Sequence, residues 1–382
     1  MAKLLITSDS PRRLTYFLTH ELFYWHDSGT ERSLNVQPKG AAESPESKRR
    51  LQNLVAVSAL ADVVIPLKPR RATREDILRV HSSRYYDSVR VASETGGGWI
   101  GHELHIGGDG LEICELAAGG VITACETVLD SNTSNTKATA YALVRPPGHH
   151  AEHDSGHGFC VFNNVAIAIE SLLNSQRVKR VAIVDFDVHH GNGSETHFYD
   201  RSDVLVISLH QEGLYPLNSG GVEKTGTGKG EGYNINIPLP SGSGRGAYMF
   251  AHETIIKPAL SAFKPDIILV SAGFDGSFLD PLGRMMLTAA DFGNFTSALV
   301  NDADNLCNGA IVLAHEGGYS EIYVPFCGVA AIASMAKIDA GPRTVDPFEA
   351  DVGPSEHCAL QAHQEKAILL AKETLKIALC KE

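Results

Sequence analysis

The chain has 382 residues, and 33 Lys and Arg against 45 Asp and Glu give it a formal net charge of -12. Hydrophobic residues make up 43% and charged residues 20%, with 36 Gly and 17 Pro, which is ordinary globular usage and excludes collagen-like, low-complexity and broadly disordered chains. The acidic balance argues against nucleic acid as a partner, and the sequence holds no apolar run of about 18 residues that could span a membrane.

The N-terminus is soon charged at Arg12 and Arg13 and lacks the apolar core of a signal peptide, so a cytoplasmic location is expected. The seven cysteines are odd in number and never form CxxC, which fits reduced, mostly buried thiols better than a disulfide framework. The basic clusters Lys48-Arg49-Arg50 and Lys68-Pro69-Arg70-Arg71 read as solvated surface.

In chain order, the polar stretch Asp27–Ser47 reads as a long loop, and Glu75–Ala92 and Leu111–Leu129 carry helical patterns. From Ala138 onward short apolar runs alternate with helical ones. Strands are predicted at Ala138–Val144, Val181–Phe186, Val204–Leu209, Tyr233–Ile237, Ile267–Ser271 and Ala310–Ala314. Most are continuous apolar runs, which predicts burial on both faces of a parallel sheet. Helices are predicted at Asn163–Leu173, Ala247–Phe263, Ala289–Asn305 and Ile322–Ala336, the third with Thr288 as N-cap and Asp291 three residues on. With no internal repeat and no long linker, one α/β domain covering residues 1–382 is the simplest organisation.

Polar residues cluster where these strands end. After Val181–Val184 come Asp185, Asp187 and His189, spaced by two, so that an extended chain would present all three on one face. Open parallel sheets bind ligands at that edge. A second strand delivers Asp275, and with Asp187 and His189 it completes a three-ligand set that suits zinc or ferrous iron and leaves coordination open. The segment Val144-Arg-Pro-Pro-Gly-His-His150 brings His149 and His150 together, a pair suited to proton transfer near neutral pH. Phe159 follows as a candidate wall. The segment Ala314-His-Glu-Gly-Gly-Tyr319 frees its backbone at two glycines, so that Tyr319 can donate its phenolic proton. Each element alone reads as turn or cap chemistry; four strand ends together do not.

The motifs Arg-Pro-Pro-Gly-His-His (145–150), Gly-Phe-Cys-Val-Phe-Asn-Asn (158–164), Asp-Phe-Asp-Val-His-His-Gly-Asn-Gly (185–193), Ala-Gly-Phe-Asp (272–275) and Glu-Gly-Gly-Tyr (316–319) resemble those of the histone deacetylase family of zinc amidohydrolases. The class II branch, with its bacterial deacetylase-like amidohydrolases, is nearest. The resemblance implies an arginase/deacetylase-like α/β fold, with a mostly parallel central sheet, helices on both faces and the active site at the strands' C-terminal ends. It implies one Zn²⁺ per subunit on Asp187, His189 and Asp275, with His149 and His150 as general base and acid and Tyr319 stabilising the oxyanion. Asp185 would orient His149, and Asn192 would face His150 where class I members carry an aspartate. A structural K⁺ would rest on Asp185 and Ser208 and on backbone oxygens of Asp187, His189 and Leu209. A second K⁺ would lie near Phe198, Arg201, Val204 and Tyr233. Gly158, Phe159, Tyr215 and Leu282 would line the acyl-lysine channel.

Where arginases carry a further aspartate for a second metal this chain has Gly191, so one catalytic metal is expected. The implied reaction is hydrolysis of N-acetyl-lysine in a protein or peptide to acetate and free amine. An acetylpolyamine amidohydrolase is the nearest alternative, and Leu282, where polyamine-selective relatives carry a glutamate, favours acetyl-lysine. A non-catalytic acyl-lysine binder ranks lower because every group of the mechanism is retained. A homo-oligomer is expected by analogy alone.

Overall fold

The computed structural model describes residues 12–29, 42–101, 104–352 and 358–375. Positions 30–41 of the expected long loop, and Cys380, lie outside the described residues.

Among the described residues ten strands occur in chain order: β1 (Arg12–Leu18), β2 (Ile65–Leu67), β3 (Gly97–Gly101), β4 (Leu104–Gly107), β5 (Thr136–Ala142), β6 (Val181–Asp185), β7 (Val204–Gln211), β8 (Asn234–Leu239), β9 (Ile267–Ala272) and β10 (Ile311–His315). Eight of them form one sheet in the order β2-β1-β5-β10-β9-β6-β7-β8, and β3 and β4 pair separately. Every pairing in the large sheet is parallel, while β3 and β4 are antiparallel. Each of the six expected strands is present, displaced at its ends by no more than about two residues, the ordinary uncertainty of a boundary.

The continuous apolar runs have the cause inferred for them. Along β6, Val181 and Ile183 enter one core while Ala182 and Val184 enter the other. On β9, Ile267 and Leu269 are separated in the same way from Ile268 and Val270. Side chains alternate across a strand, so a strand covered by helices on both faces has no position left for a polar residue. The helices Gly110–Ser131 and Asn164–Asn174 cover one face. Ala289–Leu306 and Val324–Ala336 cover the other, outside which packs Glu46–Val57. Thr288 caps as expected: its hydroxyl accepts from the amide of Asp291, whose carboxylate accepts in return from the amide of Thr288. The expected helix at Ala247–Phe263 runs from Arg245 to Phe263 with a wider π-type turn at His252–Ile256. Glu75–Ala92 divides into Arg74–Leu78 and Ser83–Glu94, the second restarted by a Ser82 cap.

Two expectations need correction. The Asp27–Ser47 stretch is followed at once by a helix that the pattern did not announce, Glu46–Val57. Lys48, on its first turn, is 1% exposed rather than solvated. Its ammonium lies 3.1 Å from Glu43, whose carboxylate also receives two bonds from Arg145 Nε at 2.8 and 2.9 Å. The remaining Arg145 donors reach the carbonyls of Phe23, His26 and Glu43. Two cations can be buried here because one carboxylate and several carbonyls receive them.

Burial alone would raise the pKa of Glu43, but Arg145 and then Lys48 outweigh it and bring the carboxyl down from 4.5 to about 2. Because the folded value lies below the unfolded one, this contribution is complete above pH 4.5 and is lost as pH falls toward 2. Glu43→Gln would leave Arg145 and Lys48 buried without a counter-charge. It is expected to cost roughly 3–5 kcal/mol in denaturant unfolding, and to flatten the decline in stability between pH 4.5 and 2. An unchanged unfolding midpoint would show that the triad does not hold this corner of the fold.

Among the described residues no helix is long and apolar enough to cross a membrane. Six cysteines fall among them, all free thiols, and five of these are buried.

Candidate active site

Four of the strand ends singled out in the sequence belong to β5, β10, β9 and β6, which are consecutive in the sheet. Their ends are in register: Ala314 pairs with Ala142, His315 with Ala272, and Asp185 with Ser271. Loops starting near residues 143, 186, 273 and 316 therefore leave one rim side by side, although 173 residues of sequence separate the first from the last.

At that rim Asp187, His189 and Asp275 converge, all buried, with their donor atoms within 4.8 Å of one another. His189 Nδ1 lies 3.0 Å from Asp187 Oδ1 and 3.2 Å from Asp275 Oδ2. The far oxygens are pinned: Val188 N–H donates to Asp275 Oδ1 and Gly317 N–H to Asp187 Oδ2, each at 2.8 Å. Burial, and then the charge of Asp187, push the Asp275 carboxyl up to about 7. Burial disfavours the charged His189, but hydrogen bonds to Asp187 and Asp275 prevail and raise it to about 10. Two carboxylates packed against one imidazole nitrogen concentrate negative charge, which a proton on His189, or a bound cation in its place, relieves. The donor set of two hard oxygens and one imidazole suits zinc or ferrous iron, so these residues fit a single divalent metal.

A second group, His149, Cys160 and Glu316, also brings donors together. His149 Nδ1 is already bonded to Asp185 Oδ2 at 2.9 Å. Glu316 Oε2 accepts from the amides of Gly148 and His149 at 2.6 and 3.2 Å, and burial keeps the Cys160 thiol far above its usual pKa. This group braces the histidine loop and offers a metal less than the first does.

The two histidine rings lie with centroids 4.0 Å apart, tilted 41° to each other, but have different partners. His149 meets the carboxylate of Asp185, whereas His150 Nδ1 lies 2.8 Å from Asn192 Oδ1. Burial lowers the pKa of both. For His149 the charges of Asp187 and Asp185 more than reverse the effect and raise it well above normal, while for His150 the neighbouring His149 and His189 lower it further.

A cavity of about 270 Å³ opens over this floor, lined by His150, Gly158, Phe159, His189, Leu214, Tyr215, Leu282 and Tyr319. The four expected channel residues all border it; Leu214 was not foreseen. Phe159 and Tyr319 face each other at 5.8 Å between ring centroids, and Tyr215 stands edge-on to His150 at 5.1 Å. Gly158 has φ +56°, and a Cβ there would lie 2.4 Å from the His150 ring and 2.9 Å from Tyr215, so no side chain fits between wall and floor.

A domain profile described as "Histone deacetylase domain" matches residues 42–335. The chain belongs to the histone deacetylase family. It is 43% identical over 344 residues to a histone deacetylase-like amidohydrolase of Pseudomonas aeruginosa, covering 88% of this chain and 89% of that one. It is 42% identical over 277 residues to a probable deacetylase of Archaeoglobus fulgidus, covering 72% of this chain and 75% of that one. The crystal structure of the HDA15 HD domain superposes with a TM-score of 0.80 at 29% identity, over 95% of this chain and 94% of that one. The eight-stranded parallel sheet with helices on both faces is thus the deacetylase fold the motifs implied.

Two further residues shape this deacetylase-family site, Glu316, which the motifs left without a role, and Asp280. Glu316 fastens the histidine loop through backbone amides. Asp280, also buried, accepts from Leu282 N–H at 2.9 Å, Gly283 N–H at 3.2 Å and Tyr319 N–H at 2.8 Å, tying one channel wall to the tyrosine opposite. Buried acids facing backbone amides leave no spacing signature in sequence. The residues expected around potassium are partly brought together: Asp185 pairs in register with Ser208, whose hydroxyl contacts His210 Nδ1 at 2.9 Å. For the second set, the carbonyl of Phe198 accepts from Arg201 and that of Tyr233 from Val206.

Proposed function

We propose that the protein is a zinc-dependent deacetylase, one catalytic domain that hydrolyses N-acetyl-lysine in a protein or peptide to acetate and free amine. The observation that carries this reading is the convergence of a buried Asp-His-Asp set, a histidine pair with unlike partners and a tyrosine around one narrow, largely apolar cavity. Zinc held by Asp187, His189 and Asp275 would polarise the amide carbonyl and lower the pKa of water bound to it.

The chain's own groups supply the rest. Phe159, Tyr215 and Leu282, which line the cavity, would exclude water along an extended acyl-lysine side chain. Where the motifs implied a base and an acid divided between His149 and His150, the unlike partners of the two rings favour His150 in both roles: neutral and partnered by the neutral Asn192, it would take the attacking water's proton at Nε2 and pass it to the leaving amine. His149 stays charged against Asp185 and favours the negative charge that grows on oxygen. The Tyr319 hydroxyl donates to that oxygen, a contribution made mainly in the transition state. A structural potassium ion held by Asp185 and Ser208, with backbone oxygens of Asp187, His189 and Leu209, belongs to the same proposal. So does a second near Phe198, Arg201, Val204 and Tyr233.

Acetylpolyamine hydrolysis is the second reading. Leu282 borders the cavity where a carboxylate would be needed to meet a distal ammonium. The enzyme is therefore expected to show a higher kcat/KM for an acetyl-lysine peptide than for acetylputrescine, by roughly the tenfold or more that an unmet charge costs. Acetate release from both, with acetylputrescine preferred, would overturn the choice of substrate. Release from neither would overturn the deacetylase reading.

A further inference from the structure

A second row of side chains runs from the proton-carrying imidazole to the channel wall. Asn192 presents Oδ1 to His150 Nδ1 at 2.8 Å and Nδ2 to Glu152 Oε1 at 2.7 Å. The same Nδ2 lies 3.2 Å from His157 Nε2, and His157 Nδ1 lies 2.9 Å from the Tyr215 hydroxyl. An ionised carboxylate can only accept hydrogen bonds, so the amide NH₂ must face Glu152 and the amide oxygen must face His150. His150 then carries its hydrogen on Nδ1 and leaves Nε2 bare toward the cavity. The second hydrogen of Nδ2 points at His157 Nε2, which places the His157 hydrogen on Nδ1, where it donates to Tyr215. A single acceptor-only group thus sets the direction of the whole row.

We propose that Glu152 and His157 are positioning residues: Glu152 locks the Asn192 amide and with it the tautomer of His150, and His157 seats Tyr215 against the same amide. The inference rests on the deacetylase reading above and extends it. An aspartate facing His150 would fix the tautomer by itself, because either carboxylate oxygen can only accept from the ring N–H. An asparagine can present either end, so a neutral partner that leaves His150 free to act as a base needs an outside acceptor to choose its orientation. Glu152 and His157 have side chains 38% and 21% exposed, and neither belongs to the hydrophobic cores, so substitution leaves the core packing intact.

The test uses the full-length, zinc-loaded protein. Glu152→Leu removes the acceptor, whereas Glu152→Gln keeps a carbonyl oxygen that Asn192 can still donate to. Glu152→Leu is expected to lower kcat on an acetyl-lysine peptide roughly tenfold, the scale of one lost orienting hydrogen bond, with KM and zinc content little changed. Glu152→Gln should stay within about threefold of wild type. His157→Leu should instead raise KM several-fold, because it releases Tyr215 and spares the tautomer. Ring ¹⁵N shifts, with the His150 signal assigned by its loss in His150→Gln, read the tautomer without substrate. Wild type should show hydrogen on Nδ1, and Glu152→Leu a mixture.

Unchanged kcat in Glu152→Leu, equal losses in the Leu and Gln variants, or a wild-type His150 with hydrogen on Nε2 would each overturn the proposal. Wild-type protein that releases no acetate yet shows the expected shifts and their change in Glu152→Leu would sink the deacetylase reading and leave the positioning row standing.

Discussion

Tyr319→Phe is expected to bind metal as wild type does while losing roughly 10²–10³ in kcat, the usual loss on removing one oxyanion donor. The substitution takes away a single oxygen. The ring keeps its contact with Phe159 at 5.8 Å between centroids and its place 5.9 Å beneath the Lys48 ammonium. The backbone amide keeps its bond to Asp280, and Ser47 continues to donate to the carbonyl of Gly318 at 3.1 Å. The loop should not move, so the change should appear in kcat rather than in metal content or unfolding. Steady-state kinetics on an acetyl-lysine peptide, with metal analysis of the same sample, checks both halves. A fully active variant would remove Tyr319 from the reaction; a variant that loses metal would mean the tyrosine is structural.

Gly317→Ala is expected to be inactive for the opposite reason. A Cβ at this position would lie 2.1 Å from Asp275 Oδ2 and 2.6 Å from Asp187 Oδ2. Neither carboxylate can withdraw. Asp275 is held by the amide of Val188, and Asp187 by the amide of Gly317 itself, and both carboxylates are fully buried. One methyl group should therefore part the two carboxylates and bring bound metal well below one per chain. Metal analysis alone reads this, without any assay of turnover. Stoichiometric metal in the variant would mean that the backbone of the 316–319 loop shifts freely, and that the close approach is not what shapes the site.

The two substitutions lie two residues apart, in a tetrapeptide whose importance was visible in the sequence, yet only the packing separates their consequences. Gly-Gly-Tyr after a strand announces a turn and an available hydroxyl. That the first glycine backs onto two carboxylates following other strands is a fact of the neighbouring strands of the sheet. Lys48 shows the same division: a Lys-Arg-Arg run in a polar stretch reads as surface, and its burial depends on Glu43 and Arg145, the latter nearly a hundred residues away. β1 and β2 were missed for a related reason. β1 begins with two arginines, and β2 has only three residues, too few to show a period.

What the chain determined locally was the set of continuous apolar strands, the long helices between them and the polar groups at the strand ends, because those are written in side-chain periodicity and short spacings. Asp185, Asp187 and His189 sit on one stretch, and no tertiary information was needed to expect them together. The sheet order is not local. It made β5, β10, β9 and β6 neighbours in register, and so brought Asp275 to His189, Glu316 to the histidine loop and Tyr319 across from Phe159. Parallel strands joined by crossovers can be stacked in many orders that bury the same apolar faces. The order found here also sets the buried carboxylates of Asp187, Asp275 and Glu316 against their partners, and that matching cannot be read from any one segment.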